Sequence, residues 1–129
     1  MPVSLFVYGT LKRNSPRNRH PLLRDARFVD VASMSGSLYD LGAYPGVVRE
    51  RKNRGRVFGE VYEIPDDDAH HALRALDKYE GSEFVRQRAF VTLRDGKRRS
   101  AWAYVLRKPP PRSARPVDSG TYARKRGAA

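Results

Sequence analysis

The chain has 129 residues, of which 26 are Lys or Arg and 14 are Asp or Glu, so its formal net charge is +12; 40% are hydrophobic and none is cysteine. This length fits one domain, and the lack of cysteine excludes a disulfide framework, a thiolate nucleophile and a Cys-ligated zinc site. Because no apolar run approaches the roughly 18 residues of a membrane helix and no signal-peptide pattern opens the chain, we expect a cytoplasmic protein without a membrane partner.

The positive charge is concentrated in two separate parts of the chain. Residues 1–56 carry a net charge of +7, residues 57–106 carry −1 and residues 107–129 carry +6. Neither a helix–turn–helix pattern nor an aromatic-interleaved strand pair accompanies these charges. We therefore expect a solvated basic surface that adsorbs polyanions nonspecifically, and no specific nucleic-acid partner.

Hydrophobic periodicity predicts a mixed fold with several strands. The segments that show the alternation or the β-branched content of strands are residues 4–8, 27–31, 35–39, 57–64, 90–93 and 101–106. Asp95-Gly96, between the last two segments, predicts a hairpin turn. Three prolines then begin at Pro109 and interrupt regular structure. We therefore divide the chain into a domain of residues 1–106 and a basic, proline-rich tail of residues 107–129, which is either extended or packed on the domain.

One helix is predicted to follow Pro65. The aspartates at positions 66–68 offer an N-cap and complement the helix dipole, and Gly81 offers a C-terminal stop. The apolar residues of the helix follow the i, i+3, i+4, i+7 spacing of one buried face, in the order Ala69, Ala72, Leu73, Leu76. Asp77 and Lys78 fall beside this stripe, where we expect solvent.

Glu80 occupies the next position of the same stripe, four residues after Leu76. A carboxylate that continues a buried stripe is costly unless it is paired, hydrogen-bonded or protonated. Burial would raise its pKa toward the range that is useful for proton transfer at neutral pH. The alternative is a structural glutamate of the last helical turn, which extends into water or pairs with Arg86 or Arg88.

Four separated motifs of the chain resemble one known family. They are, in chain order, "FVYGTLKRNSPRN", "GSLYDLGAYPGVV", "VFGEVYEIPDDD" and "ALDKYEGSEFVRQRAFV". Together they are similar to the γ-glutamylcyclotransferase-like family, which includes the γ-glutamylamine cyclotransferases and the plant AIG2-like proteins. A YGTL motif alone would be weak support, whereas four motifs in the family's order are specific.

This resemblance implies an α+β fold, namely a small mixed β-barrel with flanking helices and a cavity at one side. It also implies that the backbone of the first turn holds the γ-glutamyl part of the substrate, through Tyr8, Gly9, Thr10 and Leu11. Successive N–H groups after a strand end form a nest that suits the α-carboxylate of a glutamyl group. The alternative is an ordinary tight turn that binds nothing.

The resemblance further implies a reaction and its catalytic group. Glu80 matches the family's catalytic acid and base, and Tyr104 matches a position that lines the cavity, although a tyrosine that faces the core is the alternative. The free α-amine of a γ-glutamyl amine or γ-glutamyl amino acid attacks its own γ-carbonyl, which yields 5-oxoproline and the released amine. This chemistry needs no cofactor or metal, and we expect neither because the adjacent His70 and His71 point to different helix faces.

Two further functions remain open from the residues alone. The same fold is compatible with a non-catalytic module that binds a small carboxylate, and the basic tail is compatible with a nucleic-acid-associated protein. An intact Glu80 favours the enzyme over the binding module. The residues indicate neither the leaving amine nor the oligomeric state.

Overall fold

The computed structural model describes residues 2–9, 23–49 and 55–122. Within these ranges it contains eight strands and one α-helix. In chain order they are β1 (Val3–Val7), β2 (Arg27–Ser35), β3 (Ser37–Asp40), β4 (Pro45–Val48), β5 (Arg56–Ile64), α1 (Ala69–Glu80), β6 (Phe84–Leu93), β7 (Arg98–Leu106) and β8 (Arg115–Pro116).

Five of the strands form a closed barrel in the order β1-β5-β2-β6-β7. β1 pairs antiparallel with β5 and parallel with β7, where Leu5 lies opposite Trp102 and Phe6 opposite Ala103. This parallel contact joins the last strand of the barrel to the first. The remaining three strands form a separate small sheet in the order β4-β3-β8. The predicted α+β barrel is therefore confirmed.

β1 is buried on both faces, which explains an apolar sequence with no polar alternation. Phe6 packs into a cluster inside the barrel together with Val61 of β5. Leu5 and Val7 point the opposite way and pack into a second cluster, which includes Leu76 of α1. β1 therefore separates the barrel interior from the layer beneath the helix.

Most predicted strands are present, but two boundaries are wrong. The expected break between residues 31 and 35 does not occur, because β2 continues to Ser35 and the chain turns at Gly36. β6 begins at Phe84 rather than at residue 90, since the outward positions of "VRQR" hold arginines and the segment lacks an apolar signal. The hairpin predicted at Asp95-Gly96 is confirmed, because β6 and β7 pair antiparallel on its two sides.

α1 occupies the predicted place after Pro65, but the predicted side-chain cap is wrong. Asp68 takes the N-cap position with φ −116° and ψ −4° and makes no side-chain cap hydrogen bond. A capping side chain normally needs an extended backbone at this residue. Here a turn precedes the helix instead, and the Asp68 N–H donates to the Pro65 carbonyl oxygen at 3.1 Å.

The C-terminal end of α1 matches the prediction. Gly81 follows the helix with φ 81°, and its N–H donates to the carbonyl oxygen of Asp77. The buried residues of the helix lie on the predicted stripe and are Ala69, Leu73 and Leu76. No helix within the described ranges is long and apolar enough to cross a membrane.

Residues 115–122 of the basic tail lie against the barrel. β8 pairs antiparallel with β3, and the carbonyl oxygen of Gly120 accepts a hydrogen bond from the Phe58 N–H at 2.8 Å. Tyr122 is 8% exposed and belongs to the cluster inside the barrel. This part of the tail therefore contributes to the hydrophobic core.

We expect Tyr122→Ala to lower the free energy of unfolding by about 3 kcal/mol or more, because it removes a buried aromatic ring and leaves a cavity. Phe90→Ala is the control, since Phe90 is 64% exposed and its loss should cost less than about 1 kcal/mol. Urea denaturation of both variants measures the difference. Equal midpoints would show that residues 115–122 do not stabilise the barrel.

Candidate active site

A cavity of about 280 Å³ opens where β1 ends. Its wall combines the end of β1, the loop before β4, the end of α1 and part of β7. The side chains that bring polar groups to this wall are Tyr8, Tyr44, Tyr79, Glu80 and Tyr104. Because β1 is held between β5 and β7, its last residues are fixed relative to the rest of the wall.

The cavity brings together four of the residues predicted for the site. Tyr8, Gly9, Glu80 and Tyr104 all line it. Tyr104 also packs in the cluster beneath α1 and is 4% exposed. Thr10 and Leu11 lie outside the described residues. The predicted nest over positions 8–11 therefore stays a prediction.

Glu80 is the last residue of α1 and brings a carboxyl group to the cavity wall. Leu76, one turn earlier on the same stripe, is fully buried, so the packing of the helix also draws Glu80 against the barrel. Burial raises the pKa of Glu80 to about 7. A carboxyl group with this pKa is divided between its protonated and ionised forms at neutral pH, as a group that both accepts and donates a proton must be.

The two arginines considered as partners of Glu80 are engaged elsewhere. Arg86 binds the carboxylate of Asp77 at two points, with Nε 2.9 Å from Oδ1 and Nη2 3.3 Å from Oδ2. The Cζ of Arg88 lies 4.6 Å from the ring centroid of Trp102. Across the described ranges, no hydrogen bond or ion pair holds the Glu80 carboxyl, which leaves it available to a molecule in the cavity.

Two tyrosines form a hydrogen-bonded chain in the cavity wall. The Tyr8 hydroxyl donates to the Tyr104 carbonyl oxygen at 2.6 Å, and the Tyr104 hydroxyl donates to Asp77 Oδ1 at 2.5 Å. Burial, with a smaller effect from the charge of Glu80, raises the pKa of Tyr8. Burial and the hydrogen bond to Asp77 raise the pKa of Tyr104. Both hydroxyls therefore stay protonated near pH 7, while Glu80 titrates there.

Asp77 is the residue of this arrangement that sequence reasoning missed. We expected it in solvent, yet its carboxylate accepts hydrogen bonds from Tyr104 and from Arg86. A signal was present, because Asp77 follows the buried Leu73 by four residues just as Glu80 follows Leu76. The partner on β6 lies outside the helix, so helical periodicity alone did not predict it.

Gly9 is constrained by the opposite wall of the cavity. A Cβ built on Gly9 would lie 2.8 Å from Cγ of Pro45, closer than real Cβ contacts come. The lack of a side chain therefore lets the end of β1 approach the start of β4 directly. Gly9 and Pro45 therefore lie side by side in the cavity wall.

Aromatic side chains border the cavity on the side of Tyr44. The ring centroid of Tyr44 lies 5.9 Å from that of Phe84, and the Tyr44 hydroxyl donates a hydrogen bond to the carboxylate of Glu83. This hydrogen bond raises the pKa of Tyr44, with smaller effects from burial and the charge of Glu83. Tyr79 is 45% exposed at the same cavity. A ligand here would meet flat, largely apolar surfaces.

No group of three or more His, Cys, Asp or Glu side chains in the described part of the chain is placed to hold a metal ion. The polar groups of the cavity wall are one carboxyl, tyrosine hydroxyls and backbone. This set can bind an ammonium or an amide and can move a proton through Glu80.

Comparison with known proteins identifies the relatives of this chain. The sequence model described as "Gamma-glutamyl cyclotransferase, AIG2-like" matches residues 5–124. The γ-glutamylcyclotransferase family protein YtfP of Escherichia coli K12 is 37% identical over 105 residues, which cover 81% of this chain and 83% of YtfP. The γ-glutamylaminecyclotransferase of Bos taurus is 37% identical over 94 residues, which cover 65% of this chain and 52% of that protein.

A solved structure shows the same architecture. The crystal structure of YkqA from Bacillus subtilis superimposes with a TM-score of 0.73 and 28% sequence identity. The match covers 95% of this chain but 40% of YkqA, so the present chain spans well under half of that protein. The described fold is therefore one that this chain shares with YkqA.

The raised pKa of Glu80 predicts how stability depends on pH. Because the folded-state pKa of about 7 exceeds the ordinary value of 4.5, the stability that this group contributes is complete below pH 4.5 and is lost as pH rises to 7. The amide in the Glu80→Gln protein does not titrate, so its contribution to stability does not change with pH. We expect the Tm of the variant to exceed that of the wild type by an amount that grows between about pH 5 and about pH 8. A constant difference across this range, in thermal melts of both proteins, would show that the carboxyl is not desolvated.

Proposed function

The chain belongs to the γ-glutamyl cyclotransferase, AIG2-like family, and from this premise we propose that it cyclises the γ-glutamyl group of a γ-glutamyl amine or γ-glutamyl amino acid. The products are 5-oxoproline and the free amine. The observation that carries this proposal is Glu80, a carboxyl group with a pKa of about 7 in the wall of a small cavity, and no other residue of the described ranges binds it. A group of this kind suits a reaction whose chemical step is proton transfer.

In the proposed reaction Glu80 acts first as a base and then as an acid. It takes a proton from the α-ammonium of the substrate, and the freed amine attacks the γ-carbonyl carbon. A C–N bond forms in the new five-membered ring, and the C–N bond to the leaving amine breaks. Glu80 gives this proton to the leaving nitrogen, and the second proton that the attacking nitrogen loses in becoming the lactam N–H passes through the same carboxylate to the released amine, which departs as an ammonium. No water, metal or cofactor is consumed.

The main task of the protein in this reaction is to hold one substrate conformation. Nucleophile and carbonyl belong to the same molecule, so folding the glutamyl chain back on itself supplies the proximity. We assign the backbone of Tyr8, Gly9, Thr10 and Leu11 to the glutamyl group, because successive N–H donors suit a carboxylate or a developing oxyanion. The position of Gly9 supports this assignment, since Gly9, Pro45 and Glu80 line the same cavity and Gly9 has no room for a side chain beside Pro45.

The remaining cavity residues support one orientation of the substrate. At about 280 Å³ the cavity is small for a ligand site, which favours a single γ-glutamyl unit within it. The leaving amine would then extend past Tyr44 and Tyr79, whose rings accept many amine substituents. Tyr104 and Asp77 would fix the wall opposite, because their hydrogen bond joins β7 to α1.

We expect Glu80→Gln to lower turnover by about 10²- to 10⁴-fold, since an amide keeps the shape of the side chain but cannot accept and return a proton. The matched control is Asp67→Asn, the same chemical change at an exposed position before the other end of α1. Its turnover should stay within about twofold of the wild type. Release of 5-oxoproline from a panel of γ-glutamyl amines and amino acids is the measurement.

An N-acetylated γ-glutamyl substrate completes the test. It lacks the free α-amine and should yield no 5-oxoproline with the wild-type protein. Full activity of a folded Glu80→Gln protein would remove Glu80 from the mechanism. If the acetylated substrate still releases its amine, the reaction is hydrolysis of the γ-glutamyl bond and not cyclisation.

The same mechanism predicts the pH dependence of kcat/KM. Glu80 must be ionised in the free enzyme to act as a base, and its pKa is about 7. Below that pH, kcat/KM should fall about tenfold for each pH unit, and above it the dependence on this group should level off. The residual activity of Glu80→Gln should lack this acid limb. An identical limb in both proteins would assign it to another group.

A further inference from the structure

The outward face of the β6–β7 hairpin combines arginines with aromatic rings. The strand register places Arg88 opposite Trp102. Ala89 and Val91 belong to the cluster inside the barrel, so their neighbours Arg88 and Phe90 face outward. We call this region the hairpin surface, and its residues are Arg49, Arg88, Phe90, Arg98 and Trp102.

Phe90 is the most exposed large hydrophobic residue of the described ranges. It is 64% exposed, and the Cζ of Arg98 lies 5.0 Å from its ring centroid. Trp102 is the diagonal neighbour of Phe90 across the strand pair, and ordinary sheet geometry separates the Cα atoms of such neighbours by about 7 Å. Two aromatic side chains thus lie near one another on one face, each beside a guanidinium group.

The arginines of this surface are not neutralised by the described part of the chain. Arg88 and Arg98 form no ion pair with a carboxylate of the described residues, and the Nη1 of Arg49 donates to the Arg88 carbonyl oxygen at 2.9 Å. The next arginine along β6, Arg86, is paired with Asp77. On the hairpin, Arg88 and Arg98 therefore carry positive charge that no described carboxylate pairs with, whereas Arg94 pairs with Asp30 and Arg99 with Glu63.

A concave region of about 400 Å³ adjoins Phe90. It lies beside the short stretch where β2 and β6 pair, which is limited to Ala32–Leu93 and Ser33–Thr92. Its lining combines the apolar Met34 and Ala89, the amide of Gln87 and the ring of Phe90, with Arg49 and Arg98 contributing two guanidinium groups. This combination matches a flat ring that carries a negatively charged substituent.

We propose that the hairpin surface binds single-stranded nucleic acid without base-specific readout. Bases would stack on Phe90 and enter the adjoining concave region, and phosphates would contact Arg49, Arg88 and Arg98. The aromatic component favours single strands, because a duplex hides the faces of its bases and an inorganic polyanion has no rings. The proposal goes beyond the cyclisation reaction and uses no residue of the cavity.

The strand register explains why the sequence does not reveal this surface. β6 begins at Phe84 and pairs along its length with β7, so residues that are far apart in the sequence lie side by side. Arg88 and Phe90 therefore alternate on one strand, opposite the strand that holds Trp102. The expectation of no base-specific partner is unaffected, since stacking and phosphate contacts do not read sequence.

The test is a titration of fluorescein-labelled oligothymidylate of about 20 nucleotides, followed by fluorescence anisotropy at several salt concentrations. We expect tighter binding of the single strand than of a duplex of equal length or of polyphosphate of equal charge. Phe90→Leu should weaken single-strand binding about 5- to 50-fold, because it removes a stacking ring. The salt dependence should stay unchanged, because no charge is lost.

Charge variants separate this surface from the rest of the basic protein. Arg98→Gln should weaken binding and reduce the slope of log K against log salt by about 0.7, the value for one phosphate contact on a single strand. Arg112→Gln is the matched control, because Arg112 is exposed and lies outside the hairpin surface. Its affinity and its slope should stay close to those of the wild type.

The proposal is overturned by any of three results. These are wild-type affinity in the Phe90→Leu protein, competition by duplex or polyphosphate as strong as that by the single strand, and an effect of Arg112→Gln equal to that of Arg98→Gln. If an acidic peptide of equal charge displaces the oligonucleotide, the proposal is also overturned, and the partner of this surface is then a protein. Because Phe90 is exposed, thermal melts of the Phe90→Leu protein verify that a loss of binding is not a loss of fold.

Discussion

The site depends on one constraint, the burial of β1 on both faces and its pairing on both edges. Leu5 and Val7 pack beneath α1, whereas Phe6 packs inside the barrel. β5 and β7 hold the two edges of the strand through antiparallel and parallel pairing. A strand fixed in this way cannot shift its register, because a shift by one residue would exchange its two faces. Its end therefore delivers Tyr8 and Gly9 to a defined place in the cavity wall.

The same packing determines the protonation of Glu80. The helix must bury Leu76 to cover the outer face of β1, and the following turn brings Glu80 out of water. Glu60 shows the other way to place a carboxyl group in this fold, since it is 9% exposed and accepts a hydrogen bond from the Tyr62 hydroxyl at 3.1 Å. A bonded carboxylate such as Glu60 contributes structure. A buried carboxyl group such as Glu80, which has no hydrogen-bond partner among the described residues, costs stability when it is ionised and titrates near pH 7.

Residues that follow from local periodicity were predicted well from the sequence. The spacing of Leu73 and Leu76 predicts α1 and places Glu80 on its buried side, and Asp95-Gly96 predicts the hairpin. The features that were missed depend on contacts between the helix and the hairpin that follows it. Asp77 of α1 meets Tyr104 of β7 and Arg86 of β6, which lie opposite one another, and helical periodicity does not encode this contact.

Arg86 marks the boundary between the cavity and the hairpin surface. Its guanidinium binds Asp77, which holds the Tyr104 hydroxyl, and its Cζ also lies 4.5 Å from the ring centroid of Trp102. Near the cavity, the arginine that contacts β7 is therefore part of an ion pair, whereas further along the same face Arg88 has no carboxylate partner among the described residues. Both follow from one strand alternation, in which Tyr104 and Trp102 project from the same face and meet Arg86 and Arg88 across the pair. Asp77 thus neutralises Arg86, whereas no carboxylate of the described residues pairs with Arg88.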